Sequence, residues 1–399
     1  MPLAIYILGL AIFAQGTSEL MLAGLLPGMA ADLGVSVPDV GLLISAFAVG
    51  MLVGAPVLAV VTLRWPRRTA LLAFLGVFAV SHVAGALTTD YTVLLVSRAV
   101  GAFVYAGFWA VSAVAVIGMV PANARGRALG VVTSGLTVAT VIGLPAGTLI
   151  GQHLGWQGAF WAVAAMSALS MIGVAATIPG GRPPAAEAPR LGPELRAMAN
   201  LRLWVAYGTT SLVLASLMVT FSYLAPFLTE TAGLSEEWVP AVLGLYGVGA
   251  FIGITLGGRA TDARPFTVLF AGAAGMIVAS AGLAVFADQA VPVIILSFLL
   301  GAFGFGINPA LSARVFTLAG PAPTLAAGGN VSSFNLGITV GPWLGGLAIA
   351  AGLGYPSVSW IGVALGAGAL VLIAVSAALA RRAGPLEASE TPVADTVSA

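Results

Sequence analysis

Lysine and cysteine are both missing from this chain of 399 residues, and charge of either sign is scarce: fifteen arginines and fourteen acids make up 7% of it. Without cysteine there is no disulfide framework, no thiolate nucleophile and no Cys metal site. A net charge of +1 leaves no basic surface to hold nucleic acid. The two histidines, His82 and His153, have no carboxylate or second histidine at ligand spacing, so neither a metal nor another cofactor is expected, and both read as packing or interface residues. No Ser-His-Asp set, phosphate loop or nucleotide-binding glycine motif is present either, which argues against an enzyme and against ATP-driven work within the chain.

What is abundant is apolar: 59% of the residues are hydrophobic, with 52 Gly and 23 Pro falling mostly inside apolar runs. Average soluble domains carry roughly 25% charged residues, and no soluble fold hides this much apolar surface, whereas membrane helices tolerate Pro and pack closely through Gly. A span needs about twenty apolar residues. Breaking the chain at charged or Pro/Gly-rich points gives helices at 3–29, 39–62, 69–88, 91–119, 127–151 and 157–178, then at 201–228, 237–258, 266–287, 290–318, 324–350 and 356–380. Residues 1–30 lack the basic start of a secretory signal and hold Glu19, so they read as the first membrane helix. The expected fold class is an all-α membrane protein with twelve transmembrane helices in two pseudo-symmetric six-helix bundles, 1–178 and 201–382. A polar cytoplasmic linker at 179–200 and a disordered cytoplasmic tail at 383–399 complete the domain reading.

The arginines sort by side. Arg64, Arg67, Arg68, Arg125, Arg127, Arg259, Arg264, Arg381 and Arg382 fall in or beside alternate loops, with Arg182, Arg190, Arg196 and Arg202 in or beside the linker and Arg314 at the end of the tenth helix. The opposite loops carry acids and no arginine. By the positive-inside rule both termini are cytoplasmic and the chain is multi-pass in a cell membrane, the inner membrane where a cell has two.

Offsetting the halves by about 200 residues exposes an internal repeat. Ser97 to Phe103 aligns with Ser297 to Phe303, and Gly143, Gly147 and Gly151 match Gly337, Gly341 and Gly345. Two parallel copies of a six-helix unit follow, and such proteins bind small-molecule substrates between the halves near the bilayer midplane. Gly143, Pro145 and Gly147, with Gly341, Pro342 and Gly345, read as helix-packing positions that let the halves approach and bend.

Glu19 and Arg98 are the charges expected within the bilayer, at matching depth on the first and fourth helices. A buried charge is costly unless paired or wetted, so an acid and a base at one level are natural partners across a cavity, and intramembrane charges usually mark ion or substrate pathways. Glu19 can exchange a proton where Arg98 cannot. Helix spacing adds Gln15 one turn from Glu19 and a stripe of Arg98, Ala102, Tyr105 and Trp109. Further stripes are Ser216, Thr220 and Tyr223; Thr133, Thr137 and Thr140; and Ser332, Asn335 and Thr339, with Asn308-Pro309 interrupting the tenth helix. From these, the expected substrate cavity comprises Gln15, Tyr105, Trp109, Thr137, Thr140, Tyr223, Asn308 and Asn335, and the chain is read as a monomer.

Several stretches together resemble the drug:proton antiporters of the major facilitator superfamily: GTSELMLAGLLP (16–27), the Arg98 segment, GLPAGTLIG (143–151), GWQGAFW (155–161), SYLAPFLTETAGL (222–234) and NVSSFNLGITVGPWLGG (330–346). The N-terminal stretch and the LRWPRRTALL loop are most similar to the chloramphenicol-exporter branch, with sugar- and nucleoside-efflux relatives close by. The resemblance implies efflux of a small amphipathic antibiotic in exchange for protons, with Glu19 and Arg98 serving the coupling. It also marks Arg64, Arg67 and Arg68, and Asp262 and Arg264, as gating-loop residues. The family's first gating loop has an aspartate where this chain has Leu63, and its fourth helix often has Gln-Gly where Gly101-Ala102 follows Arg98 here.

Overall fold

The structure is a computed structural model that describes residues 1–62, 65–121, 124–180, 200–319 and 323–382. Among these, 12 helices are long and apolar enough to cross a membrane. They are α1 (Leu3–Leu33), α2 (Val37–Val61), α3 (Arg67–Leu87), α4 (Tyr91–Met119), α5 (Arg125–Leu154), α6 (Trp156–Thr177), α7 (Leu201–Phe221), α8 (Glu236–Ala263), α9 (Pro265–Val285), α10 (Ala290–Ala319), α11 (Pro323–Ala350) and α12 (Pro356–Arg382). Val80, Leu169, Ile172, Val278 and Val371 point outward, as side chains bathed in lipid would. The chain is a multi-pass membrane protein. The linker segment 181–199 and the tail 383–399 fall outside the described residues.

Local chemistry places the ends. Asp90 caps α4 by accepting from the backbone of Thr92 and Val93 at 2.7 and 3.0 Å, and Asn200 caps α7 through Arg202 at 3.0 Å. α1 runs four residues past its expected end and stops at Gly34, whose φ of 65° is the left-handed cap that glycine takes without steric penalty. Within α5, Pro145 has no N–H to give, and the helix widens into a π segment at Ala139–Gly143 just before it, Leu144 donating to Ala139. α10 breaks at Ile307, between Gly306 and Asn308, where the Asn308-Pro309 pair predicts an interruption.

The two six-helix halves repeat down to individual contacts. Gly50 meets the carbonyl of Ala99 and Gly54 that of Phe103 where α2 crosses α4; Gly249 meets the carbonyl of Phe298 and Gly253 that of Ala302 where α8 crosses α10. Both partners shift by 199 residues, which corrects by one the sequence register that paired Ser97 with Ser297. Gly143 on Thr17 and Gly147 on Met21 likewise become Gly337 on Ser211 and Gly341 on Ala215, a shift of 194. A side chain at any of these glycines would strike backbone or a close neighbour, so the glycine ladders set how near the helices come.

Each half has its own apolar core, one built mainly on α1 to α6 and the other mainly on α7 to α10 with α12. Contacts between halves gather toward the end opposite the termini. Tyr223 sits against Gly41 of α2, Gly346 lies over Pro38, the Gln152 amide donates to the Glu236 carbonyl at 2.6 Å, and the Ser45 hydroxyl to that of Thr339 at 2.9 Å. Also at this end, outside the spanning segments, burial and then Glu230 raise the Tyr355 phenol above its ordinary range; its hydroxyl donates to Glu230 at 3.2 Å.

Candidate functional site

A cavity of about 570 Å³ lies between the halves. Glu19, Phe47, Trp109, Thr137 and Thr140 form one wall, and Met218, Phe221, Phe305, Asn308 and Phe334 the other. Thr133 and Ser312 continue it toward the end that carries the termini, where α5 begins and α10 finishes. Opposite that end the halves are in contact, so this conformation is closed on one side of the membrane.

Among the described residues Glu19 is the one carboxylate on the cavity wall, half-buried at the surface of an otherwise mostly apolar space. The remaining polar groups are already committed in part. The Thr140 hydroxyl donates to the Leu136 carbonyl at 3.0 Å and that of Thr133 to Gly130 at 3.1 Å, which leaves each with acceptor capacity only. The Asn308 side-chain oxygen is buried without a hydrogen-bond partner, at the start of the helix segment that follows the break in α10. A ligand here would meet one ionisable group, a few acceptors and several aromatic faces.

Arg98 stands directly behind this wall. Its guanidinium is 1% exposed, lies 4.3 Å from the centre of the Phe47 ring, and donates to the Ser18 hydroxyl at 2.6 Å and the Ser18 carbonyl at 3.1 Å. Among the described residues no ion pair within 4.0 Å joins it to Glu19. The two charges are near enough to act on each other, but in place of a direct ion pair the guanidinium bonds to the residue next to Glu19. The reason is helical geometry: Ser18 and Glu19 are consecutive, so their side chains diverge by about 100°, one toward α4 and the other into the cavity. Phe47, itself on the cavity wall, holds the cation over its electron-rich face.

The sequence stripes divide in the same way. Trp109, Thr137, Thr140 and Asn308 reach the cavity. Gln15, Tyr105, Tyr223 and Asn335 are buried off its lining. Both amide atoms of Gln15 and the hydroxyl of Tyr105 lack partners, the Asn335 amide donates to Val331 at 3.0 Å, and Tyr223 donates to the Pro342 carbonyl at 2.8 Å in the contact that closes the far end. On α7, Ser216 faces α12, donating to Gly362 at 2.7 Å, and Leu214, Met218 and Phe221 face the cavity instead. On α11, Phe334 and Ile338 line it where Asn335 was expected. Phe47, Phe305 and Ser312 had no sequence signal that separates a cavity residue from a packing one. Of the gating-loop residues, Arg67 packs over Gly118 at the end of α4, Arg68 lies near Gly180, Asp262 and Arg264 are exposed, and Arg64 lies outside the described residues.

Comparison with known proteins follows the same architecture. Residues 8–323 match the family described as Major Facilitator Superfamily. A chloramphenicol resistance protein of Streptomyces lividans is 43% identical over 377 residues, covering 94% of this chain and 95% of that protein. The inner membrane transport protein YdhP of Escherichia coli (strain K12) is 33% identical over 93% of this chain and 95% of its own length. Among solved structures, the nucleoside transporter NupG superposes with a TM-score of 0.72 at 15% identity, covering 94% of this chain and 99% of that one.

Proposed function

This chain belongs to the Major Facilitator Superfamily and is a membrane transporter, and from that premise we propose that it exports small amphipathic compounds of the chloramphenicol type in exchange for protons. The observation that carries the reading is Glu19: among the described residues, the one carboxylate on the wall of a cavity between two halves that can rock about their glycine-packed helices. Its 43% identity to a chloramphenicol resistance protein supports the substrate class. So do Leu214, Met218, Phe221 and Ile254, against which a polyhydroxylated sugar would leave hydroxyls unpaired.

The termini are cytoplasmic in this reading, on the evidence of the arginine distribution, and the described conformation opens inward. A substrate enters from the cytoplasm or inner leaflet and packs on Trp109, Phe47 and Phe305. The contacts of Tyr223, Gln152 and Ser45 at the far end then separate as the inward side closes. Glu19 exchanges a proton when the wetting of the cavity changes, and Arg98 supplies a fixed positive field from behind Phe47. Because only differential interactions with the two states can shift their populations, proton and substrate compete for one half-buried carboxylate, and that competition is the coupling.

The test uses a host stripped of its own pumps. Expression of the chain raises tolerance to chloramphenicol above tolerance to unrelated drugs, and efflux follows an imposed pH gradient. Glu19→Gln lowers gradient-driven efflux by about 100-fold, the size of effect expected when an essential proton carrier is removed, while the protein reaches the membrane in wild-type amount. Gradient-driven efflux retained in that variant would leave a plain facilitator.

A further inference from the structure

Behind the cavity wall, three side chains on three helices form a continuous hydrogen-bonded chain. The Arg98 guanidinium of α4 donates to the Ser18 hydroxyl of α1 at 2.6 Å; that hydroxyl lies 2.6 Å from Nε2 of His82 on α3; and Nδ1 of His82 lies 2.8 Å from the carbonyl of Phe78. Ser18, His82 and Arg98 are 0%, 2% and 1% exposed. All three are buried, and each hydrogen-bonds to the next.

The direction of the chain follows from donor and acceptor chemistry. A carbonyl only accepts, so Nδ1 carries the proton. A guanidinium only donates, so the Ser18 oxygen accepts from Arg98 and its own proton is free to point at Nε2. Nε2 is then the bare acceptor at the end of the chain. The His82 ring is held between Phe78, with ring centres 4.2 Å apart, and Phe160 at 5.5 Å. The other polar groups near it are Arg98, Glu19 next along from Ser18, and Tyr105, whose ring lies 6.2 Å from that of Phe78 and whose hydroxyl is unpartnered. A second cation at His82 would face the guanidinium across a single hydroxyl in apolar surroundings, so the bonds fit the neutral ring.

We infer that His82 is a positioning residue for proton exchange: as the neutral acceptor at the end of this chain it orients the Ser18 hydroxyl, which fixes the Arg98 guanidinium behind Phe47 and, through the same stretch of α1, the direction in which Glu19 faces the cavity. His82 touches neither substrate nor the exchanging carboxyl. The inference deepens the proposed function and rests on the reading of Glu19 as the proton carrier.

Two measurements test it. The chain has only two histidines, and His153 is exposed at the far end of α5, so a ¹⁵N-histidine-labelled His153→Gln protein reports His82 alone. The expected spectrum shows a protonated Nδ1 and a bare, hydrogen-bonded Nε2, and Ser18→Ala moves the Nε2 signal. An Nε2–H tautomer or a doubly protonated ring overturns the proposal without any functional assay. In transport, His82→Leu lowers pH-gradient-driven efflux on the order of tenfold, the scale of loss when a reacting group is misplaced, while chloramphenicol binding by the purified protein stays within about twofold. His82→Gln, which sets an amide oxygen close to the position of Nε2, restores most of the efflux, a rescue that a purely space-filling role does not predict. Should His82→Leu fail to fold, Ser18→Ala breaks the same chain from its other side and carries the same expectation. Wild-type coupling in whichever of these variants folds sinks the inference. Measured beside them, Glu19→Gln separates the outcomes: coupling kept in Glu19→Gln removes the proton-carrier reading, and coupling lost there but kept in His82→Leu and Ser18→Ala removes the positioning role alone.

Discussion

The two halves of this transporter share a backbone and differ in charge. α2 crosses α4 on Gly50 and Gly54 as α8 crosses α10 on Gly249 and Gly253, with carbonyls of the partner helix at each contact. Carrying the shift of 199 residues through, the position of Arg98 is held in the second half by Ser297, whose hydroxyl donates to Val293 of its own helix at 2.7 Å. The shift of 194 that relates the glycine ladders puts Leu212 and Val213 where Ser18 and Glu19 stand. The N-terminal half thus holds the carboxylate, the guanidinium and the histidine of the site, and the C-terminal half answers with Met218, Phe221, Phe305 and Asn308. The lesson is that packing needs symmetry whereas charge placement does not: rocking halves must match in shape, but for the proposed proton exchange one titrating centre facing the shared cavity is enough.

The strongest way to break the comparison is to attack the shared packing. Gly54→Ala and Gly253→Ala each drive a methyl into a facing carbonyl, of Phe103 and Ala302, and each should cost about 1–3 kcal/mol of stability, read as a lowered unfolding temperature in detergent. A loss confined to one half would show that the repeat is formal rather than mechanical. A smaller effect is expected at the contact between halves. A methyl at Gly41 collides with the Tyr223 hydroxyl that closes the far end, so Gly41→Ala tilts the population toward the state open there by a few-fold. Because the chain has no cysteine, a single Ser45→Cys label, buried at the contact between the halves, reports it, and unchanged labelling would remove Tyr223 from the gate. Smallest is Ser297→Ala. Its hydroxyl bonds only within its own helix, so stability should move by no more than about 0.5–1.5 kcal/mol and efflux not at all; a coupling defect there would mean that the second half holds part of the proton machinery.

The helices were legible because the bilayer imposes a length and a polarity that few other structures share. Asp90, Gly34 and Asn308-Pro309 end or interrupt helices by chemistry that is local to a few residues. The glycine matches at Gly143 and Gly337 could be found for the same reason, since a small residue at an i, i+4 spacing is itself the packing signal. The cavity was only half legible. A stripe of hydroxyls and aromatics on one helix looks the same whether it faces a cavity, as Thr137 and Thr140 do, or a neighbouring helix, as Ser216 and Tyr223 do. Periodicity fixes which residues share a face and leaves open what that face meets.

Sequence by itself determined that the chain is a twelve-span membrane protein with two related halves, because hydrocarbon thickness and the polarity it demands act on each helix separately. Only the tertiary structure decided that Arg98 binds Ser18 and Phe47 rather than Glu19, that His82 joins that chain, and that Tyr223 closes the far end. Those outcomes depend on the rotation of helices about one another, which is set by the fit of side chains drawn from distant parts of the chain.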